Sequence, residues 1–100
     1  MDKHPRRLVV IVTEAVLERT LVTDARRLGA QGYTVHDVRG GGAHGDHDGE
    51  WDADRSIQLQ LICPDGVADR IAEHVLAHYA PNYRVAVWLA PVEVFRADRY

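Results

Sequence analysis

The sequence predicts an α+β fold in which an antiparallel sheet carries two helices on one face. Three observations lead there. Apolar residues alternate between strand-like and helix-like spacing in the order β-α-β-loop-β-α-β. The two βαβ halves are nearly equal in length, which suggests the split, ferredoxin-like βαββαβ arrangement. The chain has 100 residues, 46% of them apolar. That is enough for one core and too little for two, so a single domain over 1–100 is expected.

The elements follow in order. Leu8-Val9-Val10-Ile11-Val12 is a continuous apolar run suited to a central strand buried on both faces. Thr13 is placed to cap a helix, with Glu14 in its first turn. Val16, Leu17, Leu21, Ala25 and Leu28 then recur at helical spacing. Gly29 and Gly32 are both candidates for a left-handed cap that ends this helix. Tyr33 to Arg39 alternates and reads as the second strand. A glycine- and acid-rich stretch, 40–54, has no apolar anchor before Trp51 and reads as a flexible loop of the length that usually carries function.

Ser56 to Cys63 alternates polar and apolar residues with period two and is the clearest strand in the chain. One of its faces is expected to be wet or to meet a partner. Pro64-Asp65-Gly66 turns into a second helix, with Asp65 as cap and Val67, Ile71, Val75 and Tyr79 toward the core. Ala80-Pro81-Asn82 ends it. Arg84 to Leu89 is the last strand, with Pro91 as a break before Val92 to Arg96. With both helices on one sheet face, no segment is left to cover the other. Assembly through that face is the simplest way to cover it.

Composition narrows the function. Twelve Lys and Arg stand against 15 Asp and Glu, a net charge of −3. That balance argues against sequence-independent nucleic-acid binding. A single cysteine, Cys63, allows no intrachain disulfide. It suits a reducing compartment, and a cytoplasmic location is expected. The apolar run at Leu8 is too short for a signal-peptide core or a membrane span, so no membrane insertion is expected. No acid, histidine or nucleophile has the spacing of a catalytic dyad or triad, and the chain reads as a binding module rather than an enzyme.

The most informative stretch is Gly32-Tyr33-Thr34-Val35-His36-Asp37-Val38-Arg39-Gly40-Gly41-Gly42. Three adjacent glycines let a backbone approach a phosphate and aim successive N–H groups at it. Arg39 and Arg84 add charge-assisted donors. Thr34 and Ile62 both sit, on this reading, at strand ends on the loop-bearing side. The stretch resembles the strand-to-loop signature of the PII signalling superfamily. Ile11-Val12-Thr13-Glu14 and Ile62-Cys63-Pro64-Asp65 extend the resemblance to the PII-like proteins that accompany bicarbonate transporters and carboxysomes. Together they cover roughly residues 7 to 96.

The resemblance implies a homotrimer that binds an adenine nucleotide, ADP or AMP, in clefts between subunits. By it, Thr34 and Ile62 contact the base, and Gly40, Gly41 and Gly42 contact phosphate. Arg39 belongs to the same edge, Arg84 replaces the family's lysine before the last strand, and Arg96 and Arg99 match its C-terminal basic residues loosely. Bicarbonate is expected at Gly41, Gly42 and Arg39. A ligand-ordered loop would signal carbon or energy status to a partner such as a bicarbonate transporter, and no resident cofactor or metal is implied. The loop is shorter than in the nitrogen-regulating PII proteins and lacks their modifiable tyrosine, and Lys3 is the only lysine. These departures favour the carbon-linked subgroup over ATP and 2-oxoglutarate sensing.

A second reading comes from His44, Asp46, His47 and Asp48, residue types that suit a divalent metal. A trimeric protein similar to the CutA divalent-cation tolerance family would use them. A solvated loop accounts for the same residues. His74 and His78, four apart on a helix, are read as solvated rather than metal-binding, and Cys63 as a packed, inert thiol. Trp51 is a candidate anchor for the loop.

Overall fold

A computed structural model describes residues 1–42, 45–46 and 55–100. The elements are β1 (His4–Glu14), α1 (Glu18–Arg27), β2 (Thr34–Val38), β3 (Gly41–Gly42), β4 (Gly45–Asp46), β5 (Ser56–Cys63), α2 (Asp65–His78) and β6 (Val85–Val94). Single 3-10 turns occupy Ala15–Leu17 and Ala97–Arg99. Four strands form one sheet in the order β2-β5-β1-β6, with every neighbouring pair antiparallel. This is the expected ferredoxin-like plan. β3 and β4 make a separate two-stranded ladder. Residues 43–44 and 47–54, and with them His44, His47, Asp48 and Trp51, lie outside the described residues.

Sheet and helices meet along one face. Val9 and Ile11 of β1, Leu59, Leu61 and Cys63 of β5, and Leu21, Ala25, Ala68, Ile71 and Val75 of the helices form the buried core. Val35, Val85, Val87 and Leu89 pack against it from the edge strands. Burial of a Leu or Ile contributes about 2 kcal/mol, so this cluster supplies most of the driving force. Successive strand residues point to opposite faces. The opposite face therefore carries Leu8, Val10 and Val12, Gln58, Gln60 and Ile62, and Ala86, Trp88 and Ala90, aligned by the register. No described helix covers it, and Trp88 is 49% exposed.

Several local expectations are corrected. Thr13 is not a helix cap. β1 runs on through Glu14, and Thr13 Oγ1 donates to the Arg84 carbonyl at 2.7 Å. The helix begins one turn later, after a 3-10 turn that changes the angular register and sends Val16 outward, 73% exposed. Gly29, not Gly32, makes the left-handed stop, with φ +120°. Its N–H bonds to the Arg26 carbonyl, and the Ala30 N–H to that of Ala25. A Cβ at Gly29 would also lie 3.1 Å from Val67.

Asp65 is the first residue of α2 rather than its cap, and its carboxylate pairs with Arg7 at 3.3 Å. Pro91 does not interrupt β6, which runs to Val94. β6 lies at a sheet edge, where a proline's missing N–H can fall on the side without a ladder partner. β2 is shorter than expected and starts at Thr34. The bounds of β5 are those the alternation predicts.

One polar cluster joins the two helices. The Asp24 carboxylate accepts hydrogen bonds from the Tyr79 hydroxyl and, at 2.8 Å, from His74 Nε2. The His74 and His78 rings stack at 4.2 Å, and His78 Nδ1 donates to the His74 carbonyl. His74 is thus a half-buried partner of Asp24 rather than the solvated side chain expected, while His78 is exposed. Partial burial pushes the Asp24 carboxyl up, but the bonds from Tyr79 and His74 and the nearby positive charge outweigh it, and the net shift is downward. Burial and the bond to Asp24 push the Tyr79 hydroxyl up to about 12.

The signs fix the pH dependence. The lowered Asp24 pKa gives stability that is present above the ordinary carboxylate range and is lost as pH falls through its lowered folded-state pKa. The raised Tyr79 pKa gives stability that is lost as pH rises from the ordinary tyrosine value to about 12. Tyr79→Phe is expected to cost about 1–2 kcal/mol at neutral pH. Urea melts should show that the gap to wild type narrows once Asp24 is protonated.

Candidate functional site

The end of the sheet nearest the loop holds a groove of about 800 Å³, a size suited to a small ligand. Val38, Arg39 and Gly40 leave β2 along one side, and Ser56 and Gln58 of β5 and Arg84 before β6 line the other. The Val38–Ser56 pairing sets the two sides against each other. Two guanidinium groups here give the groove donors for a planar or phosphoryl anion. Gly40 has no heavy atom near its missing side chain, so its backbone is approachable. Gly41 and Gly42 continue into β3.

Arg84 is held from three directions. Its backbone N–H donates to Glu14 Oε2 at 2.8 Å, and its carbonyl accepts from the Thr13 hydroxyl at 2.7 Å. Its guanidinium donates to Ser56 Oγ at 3.3 Å. The end of β1 thus fixes the backbone where the last strand begins, and Ser56 of β5 orients the Arg84 guanidinium. On the exposed side, Arg55 pairs with Asp37 at 3.2 Å.

A second pocket, of about 330 Å³, lies at the other end of the same sheet. Gly32, Tyr33 and Thr34 enter it from the start of β2, Gln60 and Ile62 from the end of β5, and Arg99 and Tyr100 from the chain's last turn. Thr34 and Ile62 are therefore not on the loop-bearing side. β2 and β5 are antiparallel, and the loop joins the end of one to the start of the other. The start of β2 and the end of β5 must lie away from it. Thr34 and Val38 are about 13 Å apart along the strand.

The expected site residues thus fall into two groups on one chain. Arg39, Gly40 and Arg84 share the loop-side groove. Thr34 and Ile62 share the far pocket with Arg99. Arg96 belongs to neither and lies beside Phe95 in a shallow depression that Arg99 also borders. Thr13, Glu14, Ser56, Gln58 and Gln60 were not expected at a site. The polar positions of the period-two strand were the signal for Gln58 and Gln60. Thr13 and Glu14 gave none, because their local sequence reads as a helix start.

Among the described residues no three His, Cys, Asp or Glu side chains gather as a metal would require. Cys63 is buried, and burial pushes its thiol up, away from reactivity. No helix is long and apolar enough to cross a membrane among the described residues.

Residues 6–99 match the family described as Nitrogen regulatory protein P-II, and the chain belongs to that family. It is 39% identical to a PII-like signaling protein from Thermus thermophilus, with a TM-score of 0.87 over 100% of this chain and 99% of that one. CPII from Thiomonas intermedia K12, solved bound to ADP and bicarbonate, is 20% identical, with a TM-score of 0.86 over 98% and 96% of the two chains. A further structure of CPII, with ADP, AMP and bicarbonate, is also 20% identical, with a TM-score of 0.87 over 98% and 95%. At that identity the likeness to CPII establishes the fold. No curated protein matches the chain.

The Arg84 clamp yields a direct prediction. Glu14→Ala leaves a backbone N–H without its acceptor and is expected to lower stability by about 1–2 kcal/mol. Glu14→Gln keeps an acceptor oxygen and should lose less than half of that. Urea denaturation of the two variants beside wild type measures both.

Proposed function

We propose that this protein is a PII-like regulator that binds an adenine nucleotide, ADP or AMP, in clefts between subunits of a homotrimer, with bicarbonate beside it. One observation carries the reading. A single chain holds two pockets at opposite ends of one sheet face that no described helix covers. Burying that face against copies of itself covers Trp88 and its neighbours and sets one copy's far pocket against another's loop-side groove. The groove supplies Arg39, Gly40 and Arg84 for phosphate, and the far pocket supplies Thr34 and Ile62 for the base. Bicarbonate, a small planar anion, suits an arginine fork and the glycine amides at Gly41 and Gly42. The ligands in the CPII structures support this chemistry.

The protein is then a sensor rather than a catalyst. Nucleotide and bicarbonate would bias the segment 40–54 between states, and the favoured state would alter contact with a partner such as a bicarbonate transporter. The carbon-linked subgroup, the cytoplasm and a report on inorganic-carbon or energy status belong to the same proposal.

Calorimetry with ADP, with and without bicarbonate, tests it. The expected result is saturable binding of one ADP per chain, tightened by bicarbonate. No heat and no thermal stabilisation at millimolar ligand would exclude it.

A further inference from the structure

One side of the far pocket is built by a single turn. Arg99 and Tyr100 close one side of it, and both come from the last turn of the chain. That turn, Ala97–Arg99, contains no buried residue. Its internal backbone bonds are two, from the Arg99 N–H to the Arg96 carbonyl at 3.0 Å and from the Tyr100 N–H to the Ala97 carbonyl at 3.4 Å. A segment with so little burial opens readily unless something else holds it.

Arg6 holds it. This residue lies near the start of β1, paired with Val92 of β6, and is partly buried. Its Nε donates to the Tyr100 carbonyl at 3.3 Å and one terminal nitrogen to the Ala97 carbonyl at 3.2 Å. The other terminal nitrogen donates to the Pro5 carbonyl at 2.8 Å. The guanidinium fork thus bridges the strand to both ends of the turn. Its planar, fixed geometry suits that bridge, whereas a lysine has three donors on one nitrogen and no fork to span the turn.

Arg99 is the only charged side chain among the described residues lining the far pocket. It is the charged donor that the far pocket can add to those of the groove, and a phosphorylated ligand gains from it where a neutral one does not. We infer that Arg6 is a positioning residue: by tying the Ala97–Arg99 turn to β1, it sets Arg99 in the far pocket, from where its guanidinium adds to the phosphate donors Arg39 and Arg84 of the facing groove and strengthens the preference for a phosphorylated nucleoside. The ligand half of this inference rests on the nucleotide reading above. The tether itself does not.

The test uses the full chain as wild type, Arg6→Met, Arg6→Lys, Arg99→Met and the Arg6→Met/Arg99→Met double variant. ADP and adenosine are titrated into each, and hydrogen exchange is followed over 95–100. Arg6→Met and Arg99→Met should each weaken ADP about tenfold, the size expected for a lost charge-assisted contact. The double variant should lose the same factor of about ten, since both substitutions act through one guanidinium. Adenosine affinity should hold in all of them, and Arg6→Lys should keep part of the ADP affinity. The Arg99 and Tyr100 amides should exchange faster in Arg6→Met.

Unchanged exchange in Arg6→Met overturns the tether whatever the ligands do. Faster exchange with unaltered ADP affinity, equal losses for ADP and adenosine, or losses that multiply in the double variant overturn the positioning of Arg99. A wild type that binds no ADP while Arg6→Met exchanges faster overturns the nucleotide reading and its ligand half, and upholds the tether.

Discussion

The four-stranded sheet has apolar residues on both faces, and the two helices cover one. Val9 and Ile11 point into the helical layer. Val10, between them, belongs to the other face beside Trp88. The described residues hold no further helix with which to finish the job. The geometry of both pockets follows from this, because each opens at an end of the uncovered face. Assembly through that face would complete the core and the site in one step.

The ends of β1 act as fixed points for the two pockets. At one end Thr13 and Glu14 hold the backbone of Arg84, and at the other Arg6 holds the final turn. β1 is a central strand, laddered to β5 over Arg7–Glu14 and to β6 over His4–Thr13.

The fold was legible where one pattern dominated. Ser56 to Leu61 alternates polar and apolar residues, a proline follows Cys63, and the strand's bounds came out as read. The continuous apolar run of β1 marked a central strand for the same reason. Misreadings arose where tertiary context overrode local preference. Thr13 and Glu14 look like a helix start, but a long-range partner, Arg84, draws both into the strand. Val16 fits the helical stripe only if the helix begins without a 3-10 turn. Pro91 is a breaker in a central strand and harmless at an edge. Among the expected site residues, Thr34 and Ile62 were put at the wrong end of the sheet. Antiparallel pairing across the loop decides their position, and that pairing is a property of the sheet, not of either segment alone.

The central claim is that a complete site needs two chains. Subunits carrying Arg84→Met, which spoil the loop-side groove, can be co-refolded with subunits carrying Arg99→Met, which spoil the far pocket. Neither variant alone should bind ADP tightly. In each mixed trimer one interface joins an intact groove to an intact pocket, so tight ADP binding should return at one site per mixed trimer. If mixing restores nothing while mixed assemblies form, the site lies within a single chain and the account is wrong.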